Sequence, residues 1–231
     1  MPNPYAVRGE GAAVPGVDTT RSPDSATTWR WVTIAVLGAT VAQLVAAATF
    51  ASRLPQFEAK GFGVRLVAYP ALMLAVPAIW ALVRRARASA SPLPWAGFAL
   101  IMVPFLIDVS GNSANLYDTL SWWDDANHLV NWAFLCAGVG LLLLRAAIEP
   151  PWALGLVIAG LGALLAIAWE LAEWYTFIRH GTELDTAYTD TLGDLALGTL
   201  GGCLAAVLVV RYANRRAGAL EKSTTGAIGG P

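Results

Sequence analysis

Six apolar runs, separated by short polar connections, dominate the sequence. Each run is close to the ~20 residues that an α-helix needs to cross about 30 Å of hydrocarbon. Inside a bilayer the backbone must satisfy its own hydrogen bonds, so runs of this kind fold as helices. Only 13% of the residues are charged, against about 25% in a soluble domain. The sequence therefore predicts an all-α, polytopic membrane helix bundle with about six transmembrane helices. The runs are residues 29–50, 63–83, 94–111, 125–145, 152–177 and 190–212.

The regions outside the runs differ from them in composition. Residues 1–28 are polar and rich in Pro, Gly and Thr, which predicts a disordered cytoplasmic tail. Residues 29–212 form the predicted six-helix transmembrane domain. Residues 213–231 are first basic and then Gly- and Ser/Thr-rich, which predicts a flexible cytoplasmic tail. The run at 94–111 contains Pro104 and Asp108, so the sequence leaves open whether it fully spans the membrane.

The distribution of Lys and Arg predicts the orientation of the bundle. Among the Lys and Arg residues near the helix ends, ten lie on the side of the tails and of the second and fourth connections, and four lie on the other side. Cytoplasmic loops carry the excess of Lys and Arg, so both termini are predicted to be cytoplasmic. The ten are Arg21, Arg30, Arg84, Arg85, Arg87, Arg145, Arg211, Arg215, Arg216 and Lys222, and the four are Arg53, Lys60, Arg65 and Arg179.

Two glutamates near the end of the fifth run are the strongest functional signal. Glu170 and Glu173 lie in an otherwise apolar segment, where an ionisable side chain costs at least about 2.5–3.5 kcal/mol on insertion scales. Such a residue usually faces the bundle interior and serves a function. More acids and a histidine occur where the fourth and sixth runs begin. We therefore predict one polar site near the extracytoplasmic face.

The spacing of these residues favours a metal site. The members of each pair are three or four residues apart, so each pair shares one face of its helix. Carboxylates and a histidine that project inward from several helices are typical of metal sites in bundle cores. A divalent metal is the cofactor that this ligand set suits. The candidate ligands are Asp124, His128, Glu170, Glu173, Asp190 and Asp194, and the catalytic candidates are Glu170, Glu173 and His128.

Simpler interpretations stand beside the metal site. Asp124 and Asp190 suit the positive ends of helix dipoles. His128 can hydrogen-bond to Asp124 without binding a metal, and Asp194 can be a buried hydrogen-bonding partner. The glutamates can reach outward to the interface. Asp125 is expected to face water and is a weaker member of the set.

Small residues at regular spacing predict close helix packing. Gly198 and Gly202 form a GxxxG step just after Asp194, and such steps let two backbones approach closely. The step suits packing within the chain, and it equally suits a homo-oligomer that forms through Gly198 and Gly202.

Three short motifs, in order, resemble a known group of membrane proteins. The motifs are Asp124-x-x-x-His128, Glu170-x-x-Glu173-Trp174, and Tyr188-x-Asp190-Thr191-x-x-Asp194-Leu195 with Gly198, Gly201 and Gly202 after it. Their order is similar to that of the YjdF-like bacterial inner-membrane proteins and, more distantly, of the VanZ-like family. The resemblance covers roughly residues 115–205 and implies a multi-pass protein of the bacterial cytoplasmic (inner) membrane.

Four positions depart from the VanZ-like pattern and bring the chain closer to the YjdF-like group. VanZ-like proteins tend to have Lys, an aromatic residue and Gln where this chain has Asp125, Leu129 and Glu173, and Asn where it has Gly198. The resemblance implies a fold and a location but no substrate.

Three functions fit the predicted site. The first is a metal-dependent enzyme that acts on lipid or lipid-linked head groups; against it, the sequence offers no Arg or Lys clamp for a phosphate beyond Arg179. The second is a proton- or cation-coupled transporter, and the third is a non-catalytic membrane scaffold that binds a partner. A net charge of −1 without a basic stripe argues against nucleic acid as a partner. The lipid bilayer is the expected surrounding of all three.

Overall fold

The computed structural model describes residues 23–58, 60–88, 91–146, 148–176, 178–180 and 184–228. These residues contain α-helices and short 3₁₀ turns, and no strand occurs among them. Six of the helices can cross a membrane by their length and composition, which confirms the predicted fold class. The helices are α1 (Pro23–Phe50), α2 (Phe62–Ala86), α3 (Trp95–Ser113), the short α4 (Leu116–Thr119), α5 (Trp123–Leu143), α6 (Pro151–Thr176) and α7 (Leu184–Ile228), and the 3₁₀ turns are Pro55–Phe57, Leu144–Ala146 and Ile178–His180.

The first and last helices are longer than the apolar runs that predict them. α1 begins at Pro23, within the stretch that we predicted as a tail, and α7 continues to Ile228. Hydropathy marks only the part of a helix that lies in lipid. The segment after the last run holds Ala, Leu, Glu, Lys and Arg, which are good helix formers that extend a helix once it has started. Residues 1–22 and 229–231 of the predicted tails lie outside the described residues.

α3 is the most buried of the six spans. It remains one continuous helix despite Pro104, and it packs against α1, α2 and α5. A Cβ on Gly138 of α5 would lie 2.8 Å from the Gly97 oxygen of α3, so the two backbones touch there. The run that looked weakest by hydropathy is therefore the central helix.

α5, α6 and α7 form the second half of the bundle around one apolar core. A Cβ on Gly162 of α6 would lie 3.0 Å from the Gly202 Cα of α7. A Cβ on Gly201 would overlap the Leu129 carbonyl oxygen of α5. These contacts bring the beginning of α5, the end of α6 and the first third of α7 to the same end of the bundle, which we call the site end.

The GxxxG step is used within the chain. A Cβ on Gly198 would lie 2.7 Å from the Trp132 ring, and Gly202 faces Gly162. Both glycines are buried. Assembly of two copies through this step, the second use that the sequence suggests, would require this packing to open.

α2 is the least buried of the six spans. It packs along α1 and more sparsely on α3, and the described residues show no substantial packing between α2 and α6. A space therefore remains between α2 and α6, with α3 and α5 behind it.

We expect Gly201→Ala to destabilise the bundle, because the added methyl group overlaps the Leu129 carbonyl oxygen. Overpacking of this kind costs about 1–3 kcal/mol. Gly193→Ala on the same helix is the matched control, since a Cβ there meets nothing within 4 Å and Ala favours a helix over Gly. Thermal unfolding in mild detergent should show a lower Tm for Gly201→Ala and an unchanged or higher Tm for Gly193→Ala. Equal Tm values would contradict the close crossing of α5 and α7.

Candidate functional site

A cavity of about 590 Å³ opens at the site end, between α2, α3, α5 and α6. Its volume lies within the roughly 300–1,000 Å³ of small-molecule sites. Six residues of its wall have acidic or basic side chains, and His128 lies among them. These acidic and basic residues are Lys60, Arg65, Asp108, Asp118, Asp124 and Glu173, of which Lys60 and Asp118 form a salt bridge at the rim.

His128 lies at the centre of the acidic cluster. Its Nε2 atom lies 3.4 Å from Asp194 Oδ1 and 3.8 Å from Asp124 Oδ1. Its Nδ1 atom lies 3.8 Å from Glu170 Oε1. One imidazole therefore has carboxylates from three helices, α5, α6 and α7, around its two nitrogens.

The centre of the cluster is deeply buried. His128, Glu170 and Asp194 are 9%, 5% and 4% exposed. The His128 Nδ1 atom has no hydrogen-bond partner among the residues that the structure describes, and 3.8 Å to Glu170 is beyond hydrogen-bond distance. A buried polar atom without a partner costs about 1–3 kcal/mol. An arrangement of this kind suits a site that gains a proton or a cation.

The spacing of the ligand atoms fits a metal ion. Asp124, His128 and Asp194 offer atoms within 4.8 Å of one another, and so do His128, Glu170 and Glu173. Ligand atoms about 2.1 Å from a tetrahedral metal lie roughly 3.4 Å apart. The distance of 3.4 Å between His128 Nε2 and Asp194 Oδ1 equals that spacing. His128 and four of the other five predicted ligands thus come together.

Asp190 differs from the other predicted ligands. It is exposed on α7 and belongs to neither group of closely spaced ligand atoms among the described residues. Because α7 begins at Leu184, neither Asp190 nor Asp194 lies at the positive end of that helix. Asp194 is ten residues into it, which is about 15 Å along the axis. Asp125 is exposed, as expected from the sequence.

A second polar network, centred on Asp108, forms the opposite wall of the cavity. Asp108 Oδ2 accepts hydrogen bonds from Arg65 Nη1 at 2.9 Å and from the Tyr69 hydroxyl at 2.8 Å. Its Oδ1 accepts one from the Tyr117 hydroxyl at 2.8 Å. Burial, together with the Asp108 carboxylate, raises the pKa of Tyr117 above its usual range, so this phenol stays protonated and donates. The network joins α2, α3 and α4.

Two basic residues of the site are not evident from the sequence. Lys60 and Arg65 both line the cavity, whereas the sequence suggested no phosphate clamp beyond Arg179. A signal existed, because Arg65 and Tyr69 lie one turn apart on α2 and Asp108 interrupts an apolar run on a neighbouring helix. The pairing of α2 with α3 is what the sequence did not reveal.

We expect Asp108→Asn to lower the free energy of unfolding by about 3 kcal/mol, because it leaves the half-buried Arg65 guanidinium without its counter-charge. Asp118→Asn is the matched control, since Lys60 and Asp118 form a more exposed pair worth about 0.5 kcal/mol. Denaturation in mild detergent, followed by circular dichroism, measures both variants. A loss for Asp108→Asn no larger than that for Asp118→Asn would contradict the role of Asp108 as the anchor of α2.

Comparison with known proteins gives a family. No curated protein and no solved structure matches the chain. A family model described as "Predicted membrane protein (DUF2238)" matches residues 35–215, which include α2 to α6, most of α1 and the apolar part of α7. This match confirms the resemblance to the YjdF-like group, which is this family. The resemblance to VanZ-like proteins stays a prediction. The chain belongs to the DUF2238 family of predicted membrane proteins.

Proposed function

We propose that this protein is a divalent-cation-dependent enzyme that acts on lipid or lipid-linked head groups at the extracytoplasmic face of a bacterial inner membrane. One observation carries the proposal. A buried histidine, with an unpartnered ring nitrogen and carboxylates around both nitrogens, lies on the wall of a cavity large enough for a substrate. The excess of Lys and Arg at the other end of the bundle supports this orientation.

The two nitrogens of His128 suit different roles. A neutral imidazole has one N–H donor and one acceptor. Nε2 faces two carboxylates, Asp124 and Asp194, and these three form the proposed cation site. Nδ1 faces Glu170, which would accept its proton and hold the ring, as carboxylates do behind metal-bound histidines.

The charge balance favours a cation at this position. Four carboxylates from three helices surround one histidine in a membrane bundle, where charge is expensive. A divalent cation offsets two negative charges and also supplies the missing ligand partners. Carboxylate oxygens and imidazole are ligands for Zn²⁺, Mn²⁺ or Fe²⁺. Protons alone would also neutralise the acids, but they would not account for ligand atoms that lie at the spacing of a metal site.

The cavity gives a substrate access to one side of this site. Asp124, His128 and Glu173 line it, whereas Glu170 and Asp194 lie behind. A bound cation would polarise a phosphoryl oxygen of the head group and orient a water molecule. Glu173 is placed to accept a proton from that water. The water oxygen bonds to phosphorus, the bond from phosphorus to the leaving oxygen breaks, and the leaving oxygen takes up the proton that Glu173 accepted.

The two other functions have less support. A transporter needs polar groups along a path through the membrane, and the acidic residues of the described spans gather at the site end. A scaffold would use the acids only for packing. In that case Glu170→Gln would change thermal stability and nothing else.

We expect the purified protein to hold about one divalent ion per chain, measured by inductively coupled plasma mass spectrometry after purification in mild detergent. His128→Ala and Asp194→Asn should lose the ion, because each removes a ligand of a three-residue site. Asp125→Asn should keep it, since Asp125 is exposed on the same turn of α5. A folded wild type that holds no metal would contradict the proposal. Loss of metal in Glu173→Gln but not in Asp194→Asn would show that the ion is bound on the Nδ1 side of His128 instead.

The reaction has its own test. The protein is incubated with a total bacterial lipid extract, and lipids whose head group changes are identified by mass spectrometry. We expect turnover that chelation abolishes and added metal restores. Glu173→Gln should keep the ion and lose at least about 100-fold in rate, the contribution typical of a general base. Turnover by protein that holds no metal would contradict the mechanism.

A further inference from the structure

We infer that the substrate is a phosphate-bearing membrane lipid that enters the cavity sideways, between α2 and α6, and keeps its chain in the apolar half of the cavity. This inference rests on the proposed function and specifies its substrate class. It stands on the shape of the cavity, the exposure of its rim and the charges at its polar end.

The cavity has a polar end and an apolar end. Leu72, Leu135 and Leu165 line it on α2, α5 and α6. Leu72 is seven residues beyond Arg65, Leu135 seven beyond His128, and Leu165 eight before Glu173. At 1.5 Å per residue, each leucine lies about 10–12 Å from the polar end along its helix. The apolar half therefore runs toward the middle of the membrane.

The apolar half is open at its side. Leu72 and Leu165 line the cavity, yet they are 49% and 39% exposed. α2 and α6, which carry them, show no substantial packing against each other in the part of the chain that the structure describes. At this depth a membrane protein is surrounded by lipid tails. The opening between Leu72 and Leu165 is therefore a mouth toward lipid rather than toward water.

The polar end matches a phosphate. Lys60 and Arg65 lie on its α2 side, each paired with one carboxylate, Asp118 and Asp108, and the proposed cation site lies on its α5 side. Arg65 gives one nitrogen, Nη1, to Asp108, and a guanidinium has five N–H donors in all. Arginine and lysine bind phosphate oxygens through charge-assisted hydrogen bonds, and a divalent metal binds the same group. A phosphate between these walls is complementary to both.

A soluble phosphate ester would use only half of the site. Its head would fit the polar end, but nothing in it would fill the space between the leucines. A lipid fills both halves and reaches the mouth from the bilayer itself. We therefore commit to a lipid rather than to a free phosphate.

The entry of lipid through the mouth is tested by substitutions that narrow the mouth. The probes are phosphatidic acid, zwitterionic phosphatidylcholine and water-soluble glycerol 3-phosphate, and their binding is measured by native mass spectrometry of the full chain in mild detergent. We expect wild type to prefer phosphatidic acid over both others. Leu72→Trp and Leu165→Trp should weaken its binding about tenfold, which corresponds to about 1.4 kcal/mol. Leu74→Trp and Leu164→Trp are the matched controls, because both leucines are exposed on the same helices but do not line the cavity.

The polar end is tested by removing one positive charge. Lys60→Gln should reduce the preference for phosphatidic acid over phosphatidylcholine. Arg53→Gln, at an exposed position before α2, should leave that preference unchanged. Equal binding of glycerol 3-phosphate and phosphatidic acid would assign the site to a soluble phosphate and overturn the inference. The inference would also be overturned if the Trp variants at the mouth bind phosphatidic acid as tightly as their controls do.

Metal content separates this inference from the proposed function. It is measured on the same samples, and the Trp variants should keep their ion. A wild type that holds metal but does not bind lipid selectively would overturn the inference and still support the cation site. A wild type that binds lipid selectively but holds no metal would support the lipid-binding cavity and overturn the proposed catalytic role.

Discussion

The cost of charge inside a membrane governs this structure. A carboxylate that faces lipid is so unfavourable that it must find a partner inside the bundle. Here the acids of α5, α6 and α7 gather around His128, and Asp108 of α3 collects one arginine and two tyrosines. These two polar centres face each other across the cavity. The remaining surface of the spans can then stay apolar.

Small side chains make this gathering geometrically feasible. α5 and α7 can bring His128 and Asp194 together only because Gly201 lies against the backbone of α5. α6 joins them where Gly162 meets Gly202. Transmembrane helices gain little from a hydrophobic effect between them, so close backbone contact contributes much of their association. The polar site and the glycine contacts therefore depend on each other.

The sequence predicted the membrane helices and the acidic side of the site, but it did not predict the opposite wall of the cavity. Apolar length predicted six helices, because lipid imposes a minimum length on a span. The three- and four-residue spacing of Asp124 and His128, and of Glu170 and Glu173, predicted shared faces, because helical periodicity is local. The second wall of the cavity was missed, because the pairing of Arg65 with Asp108 joins residues far apart in sequence and depends on which helices are neighbours. Hydropathy also ended α7 too early, since a helix can continue well beyond the membrane.

The Asp108 network has a mechanical consequence for α2. Arg65 and Tyr69 tie the beginning of α2 to α3 through hydrogen bonds to Asp108. Near its other end, the Trp80 ring packs edge-to-face on Phe98 of α3 and lies 5.4 Å from the Arg145 guanidinium. Because α2 is held near both ends, its middle spans the edge of the passage to α6 like a fixed frame. The width of that passage then depends on the side chains at its rim rather than on movement of the whole helix.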